Sequence, residues 1–163
     1  MLIAHYIGDH AKDTWLTRAG WALTRLAQKG PLDVVTHCEA IHAEHFDGSV
    51  DIASASLRDG GVRGKNATLN PLHWLITDVP VWSVQHSQEW FAKHDGERYD
   101  VRGAWALFLP GRADPARQFC TKAVAASVGI VTPECFSPAV FAAVCLSFGR
   151  DVTTEFFNAR TKP

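Results

Sequence analysis

The stretch Asp33-Val34-Val35-Thr36-His37-Cys38-Glu39-Ala40-Ile41-His42-Ala43, followed after a short break by Val50-Asp51-Ile52-Ala53-Ser54-Ala55-Ser56, decides the fold. Residues 33 to 43 alternate in extended chain. Val35, His37, Glu39 and Ile41 point one way, and Val34, Thr36, Cys38, Ala40 and His42 the other. β-Branched residues at its start favour a strand. Phe46-Asp47-Gly48-Ser49 supplies a turn, so Val50 to Ser56 reads as the returning strand of a hairpin.

Outward from this hairpin, Asp59-Gly60-Gly61 makes a second tight turn, and Val62 to Leu69 and Trp74 to Val79 each add a strand. Ser83 or Ser87 starts a helix through Trp90 and Phe91 that Asp95-Gly96 stops. Asp100 caps a short apolar helix, Val101 to Leu109, broken at Pro110-Gly111. Phe119 to Val128 forms another helix, rich in small residues. Ser137-Pro138 opens the last one, with Pro at the first helical position and Gly149 as the stop. Upstream, Asp13 or Thr14 caps a helix to about Gln28, with Gly30 just past its end. Helices flanking a central run of strands define an α+β class.

The 163 residues show no repeat and no linker rich in Pro, Gly or Ser, so 1–163 is expected to form a single domain. Sixteen basic against seventeen acidic side chains leave a net charge of -1. No basic stretch interleaved with aromatics appears, which argues against a nucleic-acid partner. The apolar start is interrupted by His5, Asp9, His10 and Asp13, unlike a signal peptide. Apolar runs are too short to span a bilayer. A cytoplasmic protein with reduced thiols is the expectation, because four cysteines are too sparse for a disulfide scaffold.

Thiol chemistry needs a thiolate, a base within reach and donors for a developing oxyanion. Cys120 follows Gln118-Phe119 and leads a helix, where unpaired backbone N–H groups and the dipole favour negative charge. Lys122 is a second nearby positive charge that would help keep the sulfur ionised. Asp114-Pro115 is itself a good helix start and would put Cys120 in a second turn, so residues 114 to 118 are read as a separate turn. His37 supplies an imidazole whose ordinary pKa suits proton transfer near neutrality.

Eight histidines call for a metal test. His37, Cys38, His42 and His45 fall close together, but His37 and His42 face opposite ways on a strand. His42-Ala43-Glu44-His45 is one residue short of H-x-x-E-H, and no C-x-x-C occurs. No metal site is expected.

Thr36-His37-Cys38-Glu39-Ala40-Ile41 resembles the S-H-V-E-hydrophobic strand of circularly permuted papain-like enzymes of the NlpC superfamily. In that branch, which includes YiiX-like proteins and lecithin retinol acyltransferase relatives, the histidine precedes the cysteine. Phe119-Cys120-Thr121-Lys122-Ala123-Val124-Ala125 resembles their later F-C-S-E-hydrophobic helix start, and Gly96-Glu97-Arg98-Tyr99-Asp100 their G-x-x-Y-D element. Ser54-Ala55-Ser56 with Arg58-Asp59-Gly60-Gly61-Val62-Arg63 looks like the version in bacteriophage-encoded members. Cys135-Phe136-Ser137-Pro138 fits their C-terminal end. The resemblance runs from about residue 33 to 148.

It implies a permuted papain-like fold, an antiparallel sheet packed on helices, with a catalytic Cys at a helix N-terminus. It also implies a peptidase, amidase, thioesterase or acyltransferase working through an acyl-thioester, with Cys120 as nucleophile and His37 as base. The substrate would be a peptide, amide or acyl compound, cell-wall peptide included, in a phage setting, with no cofactor. A third polar residue on the next strand normally orients the imidazole. Hairpin pairing puts Ser54 there, and Glu39, on the face of His37, competes. Tyr99 is a candidate for the site wall. Lys122 and Thr121 depart from the acidic residue and the serine of C-S-E. The alternative from another class is a non-catalytic phage or binding module that retains the fold.

Overall fold

The computed structural model describes residues 1–8, 22, 32–106 and 114–160. The helix expected between residue 13 or 14 and Gln28 lies outside them except for Ala22, as do residues 107–109 of the expected Val101–Leu109 helix. The chain is α+β. Six strands, β1 (Leu2–Tyr6), β2 (His37–Glu44), β3 (Val50–Ser56), β4 (Gly61–Ala67), β5 (Trp74–Asp78) and β6 (Arg150–Asp151), form one antiparallel sheet in the order β4-β3-β2-β1-β5-β6.

The hairpin lies where its alternation put it, but β2 begins at His37, four residues later than expected. Its register shifts between Ile41 and Ala43, a bulge that turns the chain before the hairpin loop. The strand pairing on the other side of β2 is β1, for which the sequence carries no strand signal. Ile3, Ala4 and His5 of β1 are all fully buried, so this strand between β2 and β5 carries no polar-apolar alternation to read. His5 tolerates burial because its Nε2 meets Thr77 Oγ1 at 3.0 Å. Burial pushes its pKa down to about 3, which keeps the ring neutral.

Helix starts follow their caps. Ser83 accepts from His86 N to open α1 (Val84–His94), and Ser137 accepts from Val140 N to open α4 (Pro138–Phe148). Asp100 Oδ1 accepts from Gly103 N at 2.8 Å in α2 (Val101–Ala106), and its Oδ2 accepts from Asp114 N at 2.7 Å. α3 (Cys120–Ser127) and α5 (Thr153–Asn158) have no side-chain cap at their N-termini.

Two apolar layers cover the sheet. One joins Ile3, Cys38, Ala40, Ala53 and Ala55 to Phe91 of α1, Cys120, Ala123 and Val124 of α3, and Phe141 and Cys145 of α4. The other joins Ala4, Ile41, Val50, Ile52 and Ile76 to Val152 and Phe156. Alanines facing alanines let α3 lie close on β2 and β3, bringing the helix N-terminus against strand backbone.

The approach to Cys120 is stitched to the sheet. Val62 N donates to Glu97 O (2.8 Å) and Tyr99 N to Gly60 O (3.1 Å) beside β4. On the other side, Gln118 N donates to Arg98 O (3.1 Å) and Asp100 N to Gln118 O (2.8 Å). Gly61 is required here, because a Cβ would stand 1.9 Å from Glu97 O. Residues 97–100 thus form a spacer between β4 and the residues leading into α3.

Candidate active site

Cys120 is the first residue of α3. Arg117 N donates to Asp114 O at 3.2 Å, closing a turn that stays apart from the helix. The sulfur therefore sits in the first helical turn, where backbone N–H groups have no acceptor within the helix.

His37, the first residue of β2 at the end of the sheet, joins two groups. Alternation sets Glu39 on its own face and Cys38 on the helix-covered face, and the ring of His37 makes contact with both sides. Its Nε2 is 2.8 Å from Glu39 Oε1, and the ring lies near enough to the Cys120 sulfur for each to shift the other's ionisation. The structure thus brings together the two residues that are 83 positions apart in the chain.

Glu39 is the orienting group at the ring. Its carboxylate, 3% exposed, accepts Arg63 Nη1 at 2.6 Å and Nη2 at 2.7 Å. Arg63 Nε in turn donates to Asp59 Oδ2 at 2.7 Å, and Lys65 Nζ to the same oxygen at 3.3 Å. Ser54, the competing candidate, does not touch the ring. Its hydroxyl donates to Cys38 O at 2.7 Å, so the orienting role expected from hairpin pairing is corrected. Ala40 pairs with Ala53, which sets Glu39 opposite Ser54, and Ser54 pairs with Arg63. A short serine in the middle of that row leaves room for the arginine to reach over it.

Electrostatics follow from these contacts. The Cys38 thiol, hydrogen-bonded to Cys120, and the charge and hydrogen bond of His37 hold the Cys120 thiol well below its ordinary pKa, against burial. Burial pulls His37 down, but the charges of Cys120 and Glu39 outweigh it and raise the imidazole to about 9. Burial likewise opposes the Glu39 charge, yet Arg63 and His37 hold that carboxyl down at about 2. The ionised state of the site is thiolate, imidazolium, carboxylate and guanidinium in series.

Lys122 is placed otherwise than expected. Its Nζ donates to Asp114 O (2.7 Å) and Arg117 O (2.6 Å), so it fastens the turn ahead of the helix and makes no contact with the sulfur. Thr121 Oγ1 donates to Phe136 O at 2.6 Å, a packing tie. Tyr99 lies beside the thiols. Burial first, then the charges of Cys120 and Cys38, push its phenol well up, so it stands protonated at the wall of the site.

Arg63 and Cys38 join the site without a role expected from sequence. The signal for Arg63 was the hairpin register, which carries the row from Glu39 through Ser54 to Arg63. Cys38 carried none beyond its place next to His37. Among the described residues, no group of three His, Cys, Asp or Glu side chains gathers as a metal would need, and no helix is long and apolar enough to cross a membrane.

Compared with protein-family models, curated proteins and solved structures, the chain matches none of them.

Proposed function

We propose that the protein is a thiol-dependent hydrolase of the peptidase, amidase or thioesterase type, on a permuted papain-like fold with the histidine ahead of the cysteine. The observation that carries this is the Cys120–His37–Glu39 series at a helix N-terminus. The Cys120 thiolate attacks a carbonyl carbon, and first-turn N–H groups of α3 face the oxyanion that develops. His37, protonated as imidazolium, delivers its proton to the leaving group. It then takes one from water, which hydrolyses the acyl-thioester. Glu39 fixes the ring's tautomer and steadies its charge, and Arg63 and Asp59 hold Glu39. The substrate class is a peptide, amide or acyl compound, and the resemblance to the NlpC superfamily makes cell-wall peptide one such substrate.

One observation favours the second reading, a non-catalytic module that keeps the fold: Cys120 is only 5% exposed. His37 beside it keeps 15% of its side chain exposed, which supports access of a small carbonyl from that side.

The test offers the protein a panel of p-nitrophenyl esters, alkyl thioesters and peptide amides, with intact-mass detection of an acyl group on Cys120. Turnover with an acyl adduct, lost in Cys120→Ala and in His37→Ala, is expected. A panel that leaves no adduct, with a native Cys120 inert to iodoacetamide, would overturn the hydrolase and favour the non-catalytic module.

A further inference from the structure

We propose that Cys38 and Cys120 are a reversible redox pair, in which a hydroperoxide oxidises Cys120 and Cys38 then closes a disulfide upon it. The inference rests on the reactive Cys120 thiolate proposed above, and adds an inactivating modification of the same site.

The two cysteines come from different elements, the second residue of β2 and the first of α3, and share one buried cluster. They lie near enough for each sulfur to shift the other's ionisation, Cys38 up and Cys120 down. Both are free thiols. Access is graded. Cys38 is fully buried, whereas Cys120 and the half-buried His37 beside it keep a little exposure. A peroxide, two heavy atoms across, enters where a bulky oxidant does not. Cys38 is protected from direct attack, because burial first and the neighbouring Cys120 next keep its thiol protonated. Cys145, the third cysteine of the cluster, is pushed up to about 12 by burial and is hydrogen-bonded to Thr77, so it takes no part.

The chemistry balances in two steps. The Cys120 thiolate attacks one oxygen of hydrogen peroxide, the O–O bond breaks, and the departing hydroxide takes the His37 proton and leaves as water. Cys120 has then lost two electrons and is a sulfenic acid. With the negative charge gone from Cys120, one of the causes holding the Cys38 thiol up is removed. The Cys38 sulfur attacks the Cys120 sulfur, the S–O bond breaks, and the hydroxyl leaves as water with the Cys38 proton. Two thiols and one peroxide give one disulfide and two waters.

The pairing separates a recoverable loss of activity from a permanent one, because a sulfenic acid without a neighbouring thiol proceeds to sulfinic acid. In the experiment, the whole protein at pH 7 is treated with hydrogen peroxide, blocked with N-ethylmaleimide, and digested without reduction for mass spectrometry. The expected result is a Cys38–Cys120 linked peptide, with iodoacetamide labelling of Cys120 lost and then restored by dithiothreitol. In Cys38→Ser and Cys38→Ala, Cys120 sulfinic acid accumulates instead and dithiothreitol restores at least tenfold less labelling, while Cys145→Ser behaves as wild type. Sulfinic acid forming equally fast with and without Cys38, in a protein whose Cys120 iodoacetamide labels, would overturn the redox pair alone. A Cys120 inert to iodoacetamide and peroxide alike would overturn it together with the proposed hydrolase.

Discussion

Arg63 and Glu39 stand two strands apart and meet over Ser54 through two parallel N–H···O bonds of 2.6 and 2.7 Å. Two strand spacings are about 9.5 Å, a span that an extended arginine bridges and that no shorter cation would. The imidazole of His37 is thereby held, through Glu39, by a residue at the far side of the hairpin.

Arg63→Ala strands a buried carboxylate. Losing one partner of a buried pair costs about 3–5 kcal/mol. Urea unfolding is expected to show a drop in that range. Arg63→Lys keeps the charge but not the fork, and is expected to fall between wild type and Arg63→Ala. A loss below about 1 kcal/mol in Arg63→Ala would show that water replaces the guanidinium.

Glu39→Gln keeps the shape of the side chain and removes the charge that helps raise His37. The imidazole pKa, followed by proton NMR of its ring, is expected to fall below the value of about 9. Turnover is expected to fall about tenfold or more, a part of the roughly 10²–10⁴-fold that a positioned acid–base group contributes. Ser54→Ala, which removes a hydroxyl bonded to Cys38 O rather than to the ring, is expected to leave the imidazole pKa in place.

Stability is expected to depend on pH at both ends. His37 rises from 6.5 unfolded to about 9 folded. Its contribution is whole below pH 6.5 and is lost as pH climbs through 9. Glu39 falls from 4.5 to about 2, so its contribution is whole above pH 4.5 and is lost as pH drops through 2. Urea midpoints measured from pH 2 to 10 are expected to fall away on both limbs. Glu39→Gln is expected to flatten the acid limb, and a wild-type acid limb that it leaves unchanged would contradict the assignment.

Lys122→Met removes a buried ammonium that satisfies two carbonyls of the 114–117 turn. Unsatisfied buried acceptors cost about 1–3 kcal/mol. Stability is expected to fall by that amount while the pH at which Cys120 ionises stays the same. A shifted thiol titration in this variant would show that Lys122 acts on the sulfur after all.

Much of this arrangement was legible because local chemistry wrote it. The β2–β3 hairpin, the Ser83 and Ser137 caps and the separate 114–118 turn each depend on residues next to one another. Elements held by distant partners were not. β1 is buried on both faces, and β6 is two residues long and exists by pairing with Thr77 and Asp78. α5 starts at Thr153 without a cap, its Thr153 Oγ1 engaged with Asp151 Oδ1 and Ile76 N. In the site, Cys120 and His37 were visible as chemistry, but the choice between Glu39 and Ser54 turned on which oxygen was already bonded elsewhere. Lys122 was misplaced for the same reason, since two backbone carbonyls compete with the sulfur for its charge.

The proposed hydrolase depends on ionisation of Cys120 by the residues around it. Its alkylation rate by iodoacetamide across pH 4 to 10, in a Cys135→Ser background that removes the exposed thiol, tests this most directly. A rate already at its plateau by pH 6, falling to an unperturbed thiol titration in His37→Ala, is the expected result. A wild-type rate that climbs in one step near the ordinary thiol value of about 8.5 would contradict it.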